Sequence, residues 1–162
     1  MMGDVESVFA RTTTALSDIE AEDTAVVTLK FKNGALGIIE ATTATRPKDL
    51  EGSISVLGEK GSVVIGGFAV NQMQSWNFEE ERDGDDMVLE DFSVNPPNVY
   101  GFGHQAYYEH VVDCISNNGK NLVDGLQGRK SIELISATYE SVETGREVFL
   151  RFKPKKCKLG RR

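Results

Sequence analysis

Apolar and polar residues alternate through the first half of the chain, and this period-two pattern is typical of β-strands. Residues 5–76 are rich in β-branched side chains, with turn residues at short intervals. In residues 24–43, Asn33-Gly34 interrupts the alternation and predicts a hairpin with a two-residue turn. Residues 52–65 predict a second hairpin that turns at residues 58–61.

The alternation continues less regularly after the second hairpin. Residues 70–78 and 87–92 are predicted to form a third strand pair, joined through an acidic stretch, residues 79–91. The end of the chain, residues 151–162, is basic, so these two runs could meet across subunits. We expect them instead to be solvated, as most such charge runs are.

The period changes to that of helices after Pro96-Pro97. Apolar residues spaced for one helical face predict a helix over residues 103–117; these are Tyr107, Val111, Cys114 and Ile115. A second helix is predicted to end at Gly145, with an apolar stripe of Ile132, Ile135, Tyr139 and Val142. Its polar stripe is predicted to contain Arg129, Glu133, Ser136, Glu140 and Glu143. A last strand is expected over residues 148–152.

These elements predict an α+β fold, with an open, largely antiparallel sheet and two main helices on one of its faces. The other face then needs solvent or a partner. Apolar residues point to both sides of the predicted strands, as Ile38 and Ile39 do. We therefore expect homo-oligomerisation through the uncovered sheet face.

Composition adds limits to this scheme. The length of 162 residues predicts one domain, residues 1–152, followed by a basic tail, residues 153–162. A net charge of −7 argues against nucleic-acid binding, and no apolar run is long enough to suggest a membrane span. Cys114 and Cys157 predict free thiols, and the N-terminus has no secretory signal pattern. We expect a cytoplasmic protein.

The sequence contains no recognisable catalytic motif. Gly58-Glu-Lys-Gly61 and Gly101-Phe-Gly103 fall short of a dinucleotide-binding glycine fingerprint, and no nucleophile elbow or phosphate-binding lysine loop is present. His110 and Cys114 are spaced for one helical face beside Asp113, but two or three ligands make a poor metal site. We predict no catalytic, cofactor-binding or metal-binding residue within this chain.

Two places could bind an anionic ligand. His104 lies in the first turn of a predicted helix, where free N–H groups and the helix dipole favour anions, although it could also serve only as a cap or packing residue. Arg46 and Lys48 follow a run of small residues, Ala41-Thr-Thr-Ala-Thr45, that would suit a sugar. A solvated loop explains these two cations equally well.

Three segments carry a resemblance to a known family. They are Glu22-Asp-Thr-Ala-Val-Val-Thr-Leu-Lys-Phe-Lys-Asn-Gly-Ala-Leu-Gly37, Ile54-Ser-Val-Leu-Gly-Glu-Lys-Gly-Ser62, and Leu122-Val-Asp-Gly-Leu-Gln-Gly-Arg-Lys-Ser-Ile-Glu-Leu-Ile135 with the Tyr139-Glu-Ser141 and Thr144-Gly145 that follow. The chain resembles the C-terminal domain of the Gfo/Idh/MocA family, which includes glucose–fructose oxidoreductase, inositol dehydrogenase and rhizopine-catabolism proteins. Thr45-Arg-Pro-Lys-Asp-Leu-Glu-Gly52 and Pro96-Pro-Asn-Val-Tyr-Gly-Phe-Gly-His104 are most similar to UDP-N-acetylglucosaminuronic acid 3-dehydrogenases.

The resemblance implies a two-domain enzyme in which an upstream Rossmann domain holds NAD or NADP together with the catalytic residues. This chain would then be the C-terminal domain produced separately, without cofactor of its own and inactive alone. It would supply substrate contacts and the oligomer interface. The matching segments place Arg46, Lys48, Asn98, Tyr100 and His104 on the substrate side.

Two alternatives stay open. The chain could be a free-standing binding or dimerisation module with the same fold, or the domain of a relative that acts on free polyols or sugars. The native reading frame distinguishes the first alternative, because a glycine fingerprint upstream would exclude it. Binding of UDP-sugars compared with inositol distinguishes the second.

Overall fold

A computed structural model describes residues 2–48, 50, 52–98 and 100–151 of the chain. The strands are β1 (Val5–Thr13), β2 (Thr24–Phe31), β3 (Leu36–Thr42), β4 (Ile54–Gly58), β5 (Gly61–Gly66), β6 (Gln72–Phe78) and β7 (Val148–Phe149). The helices are α1 (Val88–Asp91), which a 3-10 turn at Asp85–Met87 precedes, α2 (Gly103–Ser116) and α3 (Gly125–Thr144). Within these residues, no helix is long and apolar enough to cross a membrane.

The chain divides into two compact units. The first unit combines the residues up to Pro47 with those from Leu122 onwards, and the second unit is continuous, Lys48–Asn121. The first contains a four-stranded sheet in the order β3-β2-β1-β7, and the second a three-stranded sheet in the order β4-β5-β6. Every pairing is antiparallel. The predicted α+β class with open antiparallel strands is confirmed, although the strands are divided between two sheets.

Both predicted hairpins are present. The first has a longer turn than expected, because Phe31 N donates to Ala35 O at 2.9 Å and encloses three residues, Lys32-Asn33-Gly34. Gly34 has φ of 90°, a left-handed conformation that glycine adopts without steric cost and that is typical of a three-residue hairpin loop. The second hairpin closes at the pair Gly58 and Gly61, as its glycines predict.

The hydrophobic core lies in the first unit, between α3 and one face of the four-stranded sheet. Its buried members are Val8, Ala10, Val27, Leu29, Ala137 and Val148. The small side chains of Ala137 and Ser141 let the helix approach β1 closely. Ala10 N donates to Ser141 Oγ at 3.0 Å, and that hydroxyl donates to Arg146 O at 2.7 Å. The buried hydroxyl is therefore satisfied on both sides, which burial of a polar group requires.

The predicted stripes of α3 are correct at Val142, which packs against the core, and at Glu143, which is exposed, but they are wrong at four other positions. Glu133 and Glu140, which were placed on the polar side, are buried, whereas Ile132 and Ile135 are exposed. Periodicity located the helix but misassigned the face that contacts the sheet. Burial of Glu140 is offset by Arg151, whose Nη2 lies 2.9 Å from Glu140 Oε1. The predicted C-terminal end of α3 is correct, since Gly145 is a left-handed cap with φ of 65°.

The predicted third strand pair is also wrong. β6 pairs with β5 instead, and residues 88–91, which were expected to be a strand, form the short helix α1. Asp85 explains the difference: its Oδ1 accepts from Trp76 Nε1 and its Oδ2 from Arg82 N, both at 2.8 Å. These two bonds fold the acidic connection back onto β6, and they lower the pKa of Asp85.

The C-terminal half otherwise follows the predicted order. α2 begins at Gly103 as expected, and Val148 to Leu150 run along β1, where Leu150 N donates to Glu6 O at 3.0 Å. Val148 is buried and Phe149 exposed, so the predicted alternation is confirmed there. Phe152, Cys157 and the basic tail lie outside the described residues.

Candidate functional site

Arg46 and Lys48 lie where the chain passes from the first unit to the second. Arg46 is exposed, and its Nη1 donates to Thr45 O at 2.9 Å. Lys48 is also exposed. The bond between Arg46 and Pro47 is cis. Both cations are therefore accessible to an anionic ligand, but they belong to different units.

Asn98, Tyr100 and His104 are brought together in one turn that leads into α2. Asn98 accepts twice, with Oδ1 from Tyr100 N at 3.0 Å and with its carbonyl oxygen from Gly101 N at 3.2 Å. The rings of Tyr100 and His104 meet edge to face, with centroids 6.2 Å apart and planes at 82°. Tyr100 is 74% exposed. The turn thus presents an accessible aromatic pair beside the start of a helix.

The first turn of α2 has the properties that favour an anion. Its N-cap residue is Phe102, which makes no side-chain cap hydrogen bond, and its first turn contains no acidic residue. N–H groups at a helix start lack intrahelical acceptors and carry the positive end of the helix dipole. His104, exposed in this turn, could add a donor to a phosphate or carboxylate placed there.

His110 and Cys114 are close, as their helical spacing predicted. Cys114 Sγ lies 3.5 Å from His110 Nε2, and the thiol is free and buried. Asp113 accepts instead from Asn117 Nδ2. In the part of the chain that the structure describes, no three His, Cys, Asp or Glu side chains are arranged to hold a metal ion.

Asp23 is the most strongly perturbed carboxyl group among the described residues, and it anchors a loop in the first unit. Its Oδ2 accepts from Leu16 N at 2.7 Å, Ser17 N at 2.9 Å and Ala15 N at 3.0 Å. The hydrogen bonds from Leu16 and Ser17 are the main causes that lower the pKa of Asp23 to about 2. An ionised carboxylate with three backbone donors is built to fix the loop after β1, so this role is structural.

A polar cluster in the second unit was not found from the sequence. Asn71, at the end of the turn after β5, donates through Nδ2 to Val94 O at 2.8 Å and to Asn95 Oδ1 at 3.0 Å. The segment that it holds leads directly to Asn98. Gly66-Gly67 marks a turn in the sequence, but nothing in the pattern indicates which residues the turn contacts.

The solved structures most relevant to these residues are two dehydrogenases. The chain is similar to the WlbA dehydrogenase from Bordetella pertussis, solved in complex with NADH and UDP-GlcNAcA, with 43% identity and a TM-score of 0.84 over 92% of this chain. It is also similar to the WlbA dehydrogenase from Chromobacterium violaceum, solved in complex with the same two molecules, with 44% identity and a TM-score of 0.82 over 94% of this chain.

One curated relative also matches most of the chain. The D-apiose dehydrogenase of Rhizobium rhizogenes is 27% identical over 154 residues, which are 91% of this chain and 44% of that protein. The two WlbA structures are covered over 43% and 42% of their chains. The chain therefore spans less than half the length of these relatives.

A family match extends over nearly the whole chain. Residues 1–150 match the oxidoreductase family C-terminal alpha/beta domain. The resemblance inferred from the sequence segments is confirmed by this match and by the two WlbA structures. This chain belongs to the Gfo/Idh/MocA oxidoreductase family and comprises its C-terminal alpha/beta domain.

Proposed function

We propose that this chain is the substrate-binding and oligomerisation domain of an NAD(P)-dependent dehydrogenase that oxidises a hydroxyl of a sugar nucleotide such as UDP-N-acetylglucosaminuronic acid. The observation that carries the proposal is the 43% identity, at a TM-score of 0.84, to a dehydrogenase whose solved complex contains NADH and UDP-GlcNAcA. The accessible cations and the uncapped helix start give this chain groups that suit such a ligand.

Each proposed contact has a chemical reason. UDP-N-acetylglucosaminuronic acid has a diphosphate and a carboxylate, so Arg46 and Lys48 can pair with it, Arg46 in bidentate fashion. His104 and the first N–H groups of α2 can donate to a second anionic group. Tyr100 offers an exposed ring against which a sugar or base can pack. Asn98 shapes the turn that holds Tyr100.

The chemical step is assigned to the part of the enzyme outside this chain. Its sequence lacks a dinucleotide-binding glycine fingerprint, so these residues do not fit NAD or NADP. The nicotinamide, when bound to a Rossmann domain, accepts the hydride. This chain would orient the sugar and be inactive alone.

Substrate oxidation by the full-length enzyme tests the proposal. We expect NAD(P)H to form with UDP-N-acetylglucosaminuronic acid and not with D-apiose or inositol. Calorimetry measures binding of the UDP-sugar to the present chain. UDP alone is the control, because it shows how much of the affinity comes from the nucleotide part of the ligand. Oxidation of D-apiose or inositol without oxidation of the UDP-sugar would overturn the proposed substrate. The 27% identity to D-apiose dehydrogenase makes a free sugar the second candidate.

The proposed oligomer interface is the face of the four-stranded sheet opposite α3. Thr28 pairs with Ile38, and Val27, whose side chain faces α3, pairs with Ile39. Because side chains alternate along strands, Ile38 points away from α3. The same face exposes Leu36, at 77%, and Ile38, at 70%. An exposed apolar surface of this kind is typical of a partner interface, and a second copy is the occupant that we propose.

A charge on this face should dissociate the oligomer. Ile38→Glu is expected to raise the dissociation constant by about tenfold or more, since a carboxylate would be buried without a partner. Leu57→Glu is the matched control, because Leu57 is 81% exposed on the other sheet. Light scattering measures both variants. A wild-type chain that is strictly monomeric at micromolar concentration would contradict the proposal.

A further inference from the structure

The connection between β5 and β6, residues 66–71, is a tight and strained turn. Asn71 N donates to Gly66 O at 2.9 Å, and Val70 N donates to Gly67 O at 3.3 Å. Val70 has φ of 52°, which a β-branched residue rarely adopts. A strained backbone conformation persists only where the surrounding structure holds it, and such residues are concentrated at functional sites.

Asn71 holds the turn and a second segment at the same time. Its Oδ1 accepts from Ala69 N at 3.3 Å, within the turn. Its Nδ2 donates outwards to Val94 O at 2.8 Å and to Asn95 Oδ1 at 3.0 Å. Gln72 Nε2 adds a bond to Asn95 Oδ1 at 3.2 Å. One side-chain oxygen therefore shapes the turn, while the nitrogen fixes residues 94–95.

The fixed segment leads to three of the proposed substrate contacts. Pro96, which is buried, and Pro97 lie between Asn95 and Asn98. Proline restricts its own φ and the conformation of the residue before it, so this short connection has little freedom. Fixing Asn95 thus fixes where the turn of Asn98, Tyr100 and His104 begins.

The other side of the turn contacts the segment that follows Lys48. A Cβ added to Gly52 would lie 2.7 Å from Val70 Cγ2, closer than real side chains approach. Gly52 and the strained Val70 are therefore in intimate contact. Gly52 lies four residues after Lys48 in the sequence. One turn thus contacts both chain segments of the second unit that carry proposed substrate residues.

We propose that Asn71 and Val70 are positioning residues for the sugar nucleotide: Asn71 sets the turn of Asn98, Tyr100 and His104, and Val70 sets the position of Gly52 ahead of β4. The inference rests on the proposed function of those residues. Neither Asn71 nor Val70 needs to touch the substrate. They act by fixing the positions of the proposed substrate-binding residues before the substrate binds.

The test compares variants of the full-length dehydrogenase. Asn71→Asp keeps the acceptor for Ala69 N, loses the two outward donated bonds and places a carboxylate against Val94 O. We expect the KM for the sugar nucleotide to rise about 10- to 100-fold, the cost of misplaced binding groups. The KM for NAD(P) and the melting temperature should not change. Asn77→Asp is the matched control: it lies on β6 and its Nδ2 donates to Ser75 Oγ.

Val70→Gly is the second variant, because glycine adopts φ of 52° without strain. It removes the contact with Gly52, and we expect a higher sugar KM without a lower melting temperature. An unchanged sugar KM in Asn71→Asp, or an equal rise in both KM values, would overturn the inference. If the wild-type enzyme oxidises a free sugar instead, the proposed substrate fails separately, and the same variants are compared on that sugar.

Discussion

The two units of this chain differ in how much of their apolar surface is buried. The first contains the hydrophobic core cluster, in which α3 packs on β1 and β2. Among the described residues of the second unit, Cys114 and Pro96 are the buried apolar side chains, and large apolar residues of β4 and α2 are exposed, including Leu57 and Ile115. The first unit therefore derives its stability from its own core, which is not true of the second.

The difference bears on the proposed substrate residues, because four of the five, Lys48, Asn98, Tyr100 and His104, belong to the second unit. Binding residues are often carried by the less stable parts of a protein, where few buried apolar contacts oppose movement. Here short polar ties, such as those of Asn71 and Asp85, take the place of a core. The core and most of the proposed substrate contacts thus lie in different units, and Arg46, in the first unit, is the exception.

The largest expected effect on stability comes from a substitution in the core of the first unit. Leu29→Ala, at a residue that is 8% exposed, should lower the free energy of unfolding by about 3 kcal/mol through lost burial and the cavity left behind. Leu57→Ala in the second unit should change it by less than about 0.5 kcal/mol. Urea unfolding measures both. Equal losses would show that the two units do not differ in this way.

Substitution of Asp23 is expected to have an intermediate effect on stability, and this effect depends on pH. The folded-state pKa of Asp23, about 2, lies below the ordinary value of 3.8, so the unfolded chain takes up its proton first. The stabilisation is therefore complete above the ordinary value and is lost as the pH falls towards about 2. Asp23→Asn should lower stability near neutral pH and flatten the acid dependence in that window.

Unfolding free energies at a series of pH values from neutral to strongly acidic test this prediction. Asp18→Asn is a suitable control, since Asp18 is exposed in the same loop. A variant at Asp23 whose stability falls with acid as steeply as that of the wild type would assign the dependence to other groups.

The smallest effect on stability is expected at the proposed site. Arg46→Ala and His104→Ala should each weaken sugar-nucleotide binding about tenfold, because each removes a charge-assisted contact. Both residues are exposed, so the melting temperature should not change. Calorimetry and thermal unfolding of the same samples give the two quantities. A loss of stability without a loss of binding would assign these residues to the fold.

Local sequence signals located most elements of the fold. Asn33-Gly34 and the glycines at residues 58–61 indicated both hairpins, and Gly145 indicated the end of α3. The errors arose where tertiary contacts decide. Glu133 lies on the buried side of α3 because helix contact depends on small neighbours such as Ala137, which a count of apolar residues misses.

The candidate site was predicted only in part. The segment from Asn98 to His104 could be proposed from the sequence, because its glycine and aromatic residues lead to a histidine in the first turn of a predicted helix. Asn71 was missed because its partners are 23 and 24 residues away and only the folded chain brings them together. Sequence gave no information about the division between the units, since no linker composition marks residues 47–48.

The pairing of β1 with β7 joins the two ends of the described chain. Ser7 lies opposite Phe149, and Ala10 N is bonded to Ser141 Oγ, 131 residues later. Within this chain β1 is synthesised before the other strands and helices, and its neighbours α3 and β7 are synthesised after all the others. The second unit, which is continuous, is fully synthesised before then. On the ribosome, the second unit can therefore assemble before α3 and β7 complete the first.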